Sequence, residues 1–261
     1  MSARDVSMLL TQTRFALLSA LRSARTVFFG VVFPVFLLVL FNSIFTHGSE
    51  SHTTYGGGTI PTKAFFTAGL AAYAIALQTF TTIAVSVTTE RESGELKRLR
   101  GTPMPAWSFV VAYLLRSIVL VAVVVFVLFA IGGVAFGVHY HSSGVLGLVI
   151  YTVLGTATMA ALGMAVTIFT TTVESASAIG PFAVVILSFI SGVFLPVKNL
   201  PHWLRAVGRV FPLEHIADGL QRSVASSGTG LSGKDLLPLL IWLAAGVLIA
   251  SRRFRWEPQG S

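Results

Sequence analysis

Three short segments carry residue types whose spacing could support chemistry. Residues 228–235 read GTGLSGKD, which contains the GxGxxG spacing of a phosphate-binding loop and nearly matches GxxxxGK. His139 and His141 offer two imidazoles that could ligate a metal ion. Residues 90–103 read ERESGELKRLRGTP and place seven charged residues in fourteen positions between two long apolar runs. Each segment needs a structural context that the rest of the sequence must supply.

The first two segments lack that context. A phosphate-binding loop joins a strand to a helix and uses Ser or Thr for magnesium, where this chain has Asp235. Two histidines without a nearby carboxylate make a poor metal site. The chain has no cysteine and no HExxH or GxSxG motif. We therefore expect residues 228–235 to form a flexible loop. We also expect no catalytic residue, metal or bound cofactor.

The composition predicts an all-α, polytopic membrane protein. The chain is 54% hydrophobic and 11% charged, whereas soluble domains carry about 25% charged residues. Apolar runs long enough to cross a bilayer as helices predict six spans. These are residues 26–45, 64–89, 107–136, 145–171, 176–195 and 236–251. They leave room for one transmembrane domain over residues 1–261 and for no nucleotide-binding domain.

The distribution of positive charge predicts the orientation. With both termini on one side, that side carries eleven Lys or Arg residues against six on the other, which predicts cytoplasmic termini in the plasma membrane. The net charge of +8 is therefore attributed to membrane anchoring, and no nucleic acid partner is expected. Residues 4–25 show charged and apolar faces at helical spacing, which predicts an amphipathic helix in the inner interface.

The charged insert at residues 90–103 cannot lie in hydrocarbon, so it predicts a short helix and turn on the aqueous side. Its acids come first and its bases last, which suits the helix dipole. Leu96 and Leu99 share one face that could enter a groove of a soluble partner. The pattern alone fits a solvated, self-paired helix equally well.

Two further segments have positions of interest. Span two carries a polar stripe at Gln78, Thr82, Ser86 and Thr89, which fits either a transport path or helix packing. Residues 195–221 have helical stretches broken by prolines, which predicts helices that dip into the membrane and return. A plain extracellular loop is the alternative for the second segment.

Taken in order, these features resemble the permease subunits of the ABC transporter type-2 family, which includes drug-resistance exporters and exporters of lipid or polysaccharide. The resemblance covers essentially the whole chain. It rests on two groups of residues: Glu90, Glu92, Gly94, Leu96, Leu99, Thr102 and Pro103, and Pro196, Leu200, Pro201, Trp203, Leu204, Phe211, Pro212, Leu213 and Asp218.

The resemblance implies partners and residue roles. Two permeases, identical or homologous, would pair among membrane lipids, and a separate cytoplasmic ATPase would bind ATP and magnesium. The coupling helix that docks the ATPase would use Glu90, Arg91, Glu92, Gly94, Glu95, Leu96, Leu99, Thr102 and Pro103. The translocation path between the permeases would use Gln78, Thr82, Ser86, Ser188, Ser191, Phe194 and Leu195. The re-entrant helices would use Pro196, Pro201, Trp203, Phe211, Pro212 and Asp218.

The expected function is ATP-driven export of a hydrophobic or amphiphilic cargo, such as a drug, an antibiotic or a lipid-like molecule. An apolar path with hydroxyls and no charge favours such a cargo over an ion. Two alternatives remain from the residues: a secondary transporter driven by an ion gradient, and a membrane assembly protein without transport.

Overall fold

The structure, a computed structural model, describes residues 28–45, 52–94, 106–170, 172–225 and 228–253. Eight helices and one hairpin are numbered here in chain order. Their bounds are α1 Phe33–Phe45 after a π-helical turn Phe28–Val32, β1 His52–Tyr55, β2 Gly58–Pro61, α2 Thr62–Glu92, α3 Ala106–Phe136, α4 Val145–Val166, α5 Val173–Ile190, α6 His202–Gly208, α7 Pro212–Ala225 and α8 Gly233–Arg253. The amphipathic helix predicted over residues 4–25 lies outside the described residues.

Five helices, α2, α3, α4, α5 and α8, are long and apolar enough to cross a bilayer. The prediction of an all-α, multi-pass membrane protein is confirmed. In the first predicted span, the structure has an apolar helix at Gly30–Phe45. This helix is shorter than the roughly 20 residues that a full crossing of the bilayer takes.

Helix α2 forms the centre of the bundle. Nearly every side chain from Thr62 to Thr79 is buried, which matches a helix that is apolar all round and therefore enclosed. Its core face is rich in alanine, which lets neighbouring helices approach closely. Helices α1, α3, α4 and α7 pack against it, so α2 fixes the positions of most other elements.

The observed ends of α2 and α4 correct two predicted boundaries. Helix α2 continues to Glu92, not to residue 89, so residues 90–92 are the last turn of a span. Helix α4 ends at Val166, five residues before the predicted end. A tight turn follows, in which the Thr170 amide donates a hydrogen bond to the Val166 carbonyl at the end of α4 at 3.2 Å.

Helix α5 differs from its prediction at both ends. It begins at Val173 because Thr172 and Ser175 form a capping box, in which each side chain accepts from the other's backbone amide. It ends at Ile190, not at residue 195. Gly192 follows with φ +69°, a left-handed conformation that stops the helix. The chain after Ile190 therefore leaves the predicted span.

Helix α8 is longer than predicted, from Gly233 to Arg253 instead of residues 236–251. It passes through Pro238, which lies in the second turn of the helix.

The hairpin of β1 and β2 was not predicted from the sequence. Its register pairs His52 with Pro61 and Tyr55 with Gly58, and β2 contacts α7. Strands of four residues with no apolar alternation give too little pattern to detect. We call the side of the bundle with this hairpin the hairpin end, and the side with residues 90–94, 167–170 and 172–173 the insert end.

Replacing Gly192 with alanine is expected to destabilise the protein. The residue has a positive φ, and an added Cβ would lie 2.6 Å from Cγ2 of Val197. A left-handed non-glycine residue costs about 1–2 kcal/mol, so the thermal unfolding midpoint of the purified protein should fall. Gly233→Ala is the matched control, because nothing lies within 4 Å of its added Cβ. Equal midpoints for the two variants would contradict the assignment of Gly192 as the helix stop.

Candidate functional site

Polar side chains join the helices at both ends of the bundle. At the insert end, Arg91 lies in the last turn of α2 and is 2% exposed. Its Nη1 donates to the Thr167 carbonyl at 2.9 Å, and its Nη2 donates to the Thr170 carbonyl. Carbonyls at the end of a helix have no partner within that helix. The Arg91 guanidinium therefore joins the end of α2 to the turn that ends α4.

Glu92, the next residue, makes a complementary contact. Its Oε1 accepts a hydrogen bond from the backbone amide of Val173 at 3.0 Å. Val173 is the first residue of α5. A carboxylate at a helix N-terminus is favoured by the free amides and the helix dipole. Consecutive residues of α2 thus bind the end of one span and the beginning of the next.

Glu90 extends this contact to α3. The Tyr113 hydroxyl donates to the Glu90 carboxylate, and the Arg116 guanidinium lies 5.9 Å from the centroid of the Tyr113 ring. We call the set Glu90, Arg91, Glu92, Tyr113, Thr167, Thr170 and Val173 the insert-end clamp. It links α2 to α3, α4 and α5.

The clamp changes the interpretation of the predicted coupling residues. The Arg91 side chain is turned into the protein, so in this conformation it offers no surface to a partner. Gly94 follows α2 in a turn with φ +73°. The remaining predicted coupling residues lie outside the described residues: Glu95, Leu96, Leu99, Thr102 and Pro103.

At the hairpin end, three elements meet around buried charges. Asp218 on α7 accepts a hydrogen bond from the Gly56 amide at 3.1 Å. Arg222 Nη2 donates to Asp235 Oδ2 on α8 at 3.1 Å, and His215 Nδ1 lies 3.6 Å from Asp235 Oδ1. We call Gly56, His215, Asp218, Arg222 and Asp235 the hairpin-end cluster. It joins the hairpin, α7 and α8.

Asp235 also corrects the prediction of a flexible loop at residues 228–235. Its backbone lies in the first turn of α8, and the residue is 4% exposed. Close by, the Tyr151 hydroxyl accepts from the Ser232 amide at 3.0 Å. The segment that resembles a phosphate-binding loop is therefore held against α4 and α7.

Burial shifts the titration of the acids on α7, which lies outside the five membrane-spanning helices. Burial, together with the nearby Asp218 carboxylate, raises the pKa of Glu214 to about 7. Burial raises the pKa of Asp218 to about 6, although the hydrogen bond from the Gly56 amide opposes this. Burial lowers the pKa of His215, but the Asp235 carboxylate, the Arg209 carbonyl and Glu214 together raise it, and the net direction is upward.

The predicted re-entrant residues mark helix starts. Pro196 and Pro201 precede a 3₁₀ turn and α6, and buried Pro212 is the first residue of α7. Phe211 stacks on Trp242 of α8 with ring centroids 6.3 Å apart, whereas Trp203 is 67% exposed. The helical stretches exist as expected, and their re-entry into the membrane stays a prediction.

The predicted path residues of span two do not form a regular stripe. Gln78 lies in a π-helical stretch, Leu77–Thr81, within α2. This stretch changes the rotation between Gln78 and Thr82. Gln78 is buried against Gly30, where a Cβ would lie 2.3 Å from its Oε1. Thr82 and Ser86 are half-buried.

The predicted path residues around span five fall in different environments. Ser188 is buried and donates to the Val184 carbonyl of its own helix at 2.7 Å. Ser191 is also buried and follows the end of α5. Phe194 is buried beside the rings of Tyr73 and Phe189. Leu195 is 41% exposed.

The geometry is that of a bundle of membrane-spanning helices whose charged residues join the elements at its two ends. A sequence model of ABC-2 type transporters matches residues 8–224. The chain belongs to the ABC-2 type transporter family. It is 26% identical over 174 residues to two proteins named probable multidrug ABC transporter permease YbhR, from Escherichia coli strain K12 and from Escherichia coli O157:H7. Each match covers 66% of this chain and 46% of the relative, so the chain spans about half the length of these relatives.

Membership in the ABC-2 family identifies the chain as a transporter permease that crosses the membrane several times. Within the described part of this permease, no group of three His, Cys, Asp or Glu side chains is placed to hold a metal ion. His139 and His141 are exposed.

Sequence reasoning missed most partners in the two polar groups of this ABC-2 permease. Arg91 reaches carbonyls 76 and 79 positions away, and Arg222 reaches Asp235 across 13 positions. The acid–base–acid order at residues 90–92 was a signal that charges concentrate there. It gave no indication that the arginine turns inward.

Arg91→Met is expected to lower the stability of the ABC-2 permease markedly. It removes a charged donor from two buried carbonyls, and a hydrogen bond to a charged group contributes about 1.5–3 kcal/mol. The unfolding midpoint of the purified protein should therefore fall, with a loss of roughly 3 kcal/mol or more. Arg252→Met is the control, because that arginine is exposed in the last turn of α8. A shift no larger than that of the control would show that the clamp contributes little.

The hairpin-end cluster is expected to make stability fall as pH rises. Folding raises the pKa of Asp218 from 3.8 to about 6, so the folded chain keeps a proton that the unfolded chain loses. The resulting stabilisation is complete below pH 4 and is lost as pH rises through about 6, by roughly 3 kcal/mol.

Asp218→Asn should flatten this pH dependence between pH 4 and 6, as measured by unfolding midpoints at each pH. Glu174→Gln, at an exposed acid of α5, should leave the slope as in the unsubstituted protein. An unchanged slope in Asp218→Asn would show that another group carries the dependence.

Proposed function

We propose that the chain is the permease subunit of an ATP-driven exporter in which a separate cytoplasmic ATPase supplies the energy. Two permeases, identical or homologous, pair in the plasma membrane. The insert end and both termini face the cytoplasm, as the positive charges favour. ATP and magnesium bind to the ATPase and not to this chain.

The observation that carries this proposal is the insert-end clamp. A push on residues 95–103 acts first on the last turn of α2. Arg91 and Glu92 transmit it to the end of α4 and the beginning of α5, and Glu90 transmits it to α3. The clamp connects four spans at one point, so movement of the insert is expected to reach all four together.

The proposed cargo is hydrophobic or amphiphilic. The two relatives carry the word multidrug in their names. The path residues predicted on α2, on α5 and just after α5 are hydroxyls, an amide and apolar side chains without a charge, which favours neutral or lipid-like molecules. A drug, an antibiotic or a lipid-like compound fits this chemistry.

One observation favours a second candidate, a transporter driven by protons. Glu214 and Asp218 are buried acids, and burial raises the pKa of each toward neutrality. Buried acids that titrate near neutral pH are typical of proton relays in membrane transporters. Their place beside the hairpin, α7 and α8 gives them a structural role as well, which is why ATP-driven export is preferred.

Transport in inside-out membrane vesicles separates the two candidates. Vesicles from cells that express the chain with its ATPase should accumulate a hydrophobic dye when ATP is added. Vanadate, which blocks ATP hydrolysis, should stop accumulation, and a protonophore should not. Accumulation that survives vanadate but collapses with the protonophore would reject the ATP-driven proposal and support the proton-driven one.

Variants of the insert test the route of coupling in the same vesicles. Leu99→Ala and Glu92→Gln should each reduce ATP-driven uptake several-fold while the amount of permease in the membrane is unchanged. Glu174→Gln is the matched control, because this acid is also exposed near the insert end and touches no clamp residue in the described hydrogen bonds. Full uptake in both insert variants would reject docking at those positions.

A further inference from the structure

An apolar cavity lies between the spans, and no residue of the insert-end clamp or the hairpin-end cluster is part of its lining. Its volume is about 290 Å³. The lining comes from α2, α4 and the turn after it, α5, α7 with the residue before it, and α8: Ala76, Phe80, Met159, Leu162, Ala165, Val166, Phe169, Val184, Leu187, Phe211, Pro212, Leu213, Trp242 and Ile249. The cavity contains none of the predicted path residues, so it is a separate feature of the fold.

The lining of the cavity is long enough to take part of a hydrocarbon chain. It runs from Trp242 to Ile249 along α8 and from Met159 to Val166 along α4. Each stretch covers seven residue steps, which corresponds to about 10 Å along a helix. A space of that length with a volume of about 290 Å³ accommodates a stretch of acyl chain.

The cavity opens toward the lipid. Ile249 in its lining is 42% exposed on the spanning helix α8, and Phe169, in the turn after α4, is 78% exposed. Both are apolar side chains at the rim of the opening, where they favour contact with lipid. Water is a poor occupant of this apolar cavity, since a buried water needs two to four polar partners. The bilayer around the opening offers hydrocarbon chains instead.

One edge of the cavity combines apolar and charged groups. Phe211 stacks on Trp242, and the Trp242 indole Nε1 donates to the Val210 carbonyl at 2.6 Å. Two residues before Phe211, the Arg209 side chain is 71% exposed, and its Nε lies 3.9 Å from Glu214 Oε1. A guanidinium suits bidentate contact with a phosphate group. An amphiphile with a chain in the cavity could place its anionic head beside this arginine.

We propose that the cavity binds one acyl chain of an anionic phospholipid from the surrounding membrane, with the headgroup phosphate at Arg209. The bound lipid fills the space between α4, α5 and α8 beside α7. The site is distinct from the proposed export path, and binding needs neither ATP nor the ATPase.

Quenching of Trp242 fluorescence tests the site. The chain has four tryptophans, so Trp107→Phe, Trp203→Phe and Trp256→Phe together leave Trp242 as the only one. The purified permease is titrated in detergent with phosphatidylglycerol that carries bromine on its acyl chains. We expect saturable quenching that unbrominated phosphatidylglycerol reverses by competition. Quenching that rises linearly with lipid and shows no competition would overturn the proposal.

Filling the cavity should weaken lipid binding. Ala165→Phe places a ring in the space and should raise the half-saturating lipid concentration by at least about tenfold, because several buried methylenes are displaced. Val149→Phe is the control on the same helix, at a side chain that is 54% exposed. Should Ala165→Phe unfold, Leu162→Phe adds a smaller volume at the same site. Unchanged affinity in a folded cavity variant would reject the cavity as the site.

The headgroup is tested by comparing phosphatidylglycerol with phosphatidylcholine. The protein with Arg209 intact should bind the anionic lipid several-fold more tightly than phosphatidylcholine, and Arg209→Gln should remove this preference. Arg205→Gln is the matched control, since its Nε already donates to the Leu200 carbonyl at 3.0 Å. Equal affinity for the two lipids before substitution would reject an anionic headgroup at Arg209. Tighter binding of a free fatty acid than of either lipid would reject a phospholipid occupant.

Discussion

The Arg91 guanidinium, buried against the carbonyls that end α4, is the contact on which the insert end of this protein depends. Neither partner could remain alone in a nonpolar environment: the charge needs acceptors, and the carbonyls need donors. Their pairing joins the last turn of α2 to the turn that follows α4. Glu92 adds a contact with the Val173 amide at the beginning of α5, which the Thr172–Ser175 capping box defines. Two consecutive side chains of α2 thus contact the end of one span and the beginning of the next.

At the hairpin end, charged groups and backbone amides are also paired, but between different elements. There Asp218 holds the hairpin through the Gly56 amide, and Asp235 holds α7 through Arg222. Glu90, Arg91 and Glu92 lie in the last turn of α2 and Asp235 in the first turn of α8, while the other charged groups of the hairpin-end cluster lie on α7. The interiors of the long helices pack mainly through alanine and other apolar side chains. This division follows from the bilayer, in which an unpaired charge or backbone group is costly. It leaves a core that is held together at its two ends and that contains an apolar cavity between them.

That arrangement connects the proposed function to the lipid site. A motor acting on the insert would move the ends of α2, α4 and α5 together, because the clamp joins them. The cavity lies between the same helices and α8, where a change in their separation alters its volume. A bound acyl chain would fill the gap in one state of the bundle more fully than in another. A ligand with such a preference shifts the equilibrium toward the state it fits.

The sequence by itself determined the class of protein and most of the spans, because hydrophobicity acts locally and a run of apolar residues must span the membrane as a helix. It also located the charged insert, and it matched the helical stretches interrupted by Pro201 and Pro212. It missed the inward turn of Arg91, the burial of Asp235 and the early end of α5. Those depend on partners that are remote along the chain, such as the Thr167 carbonyl, or on a backbone conformation at Gly192 that no periodicity marks. Only the tertiary structure decides which charges meet, since pairing requires the packed helices to bring distant residues within hydrogen-bond distance.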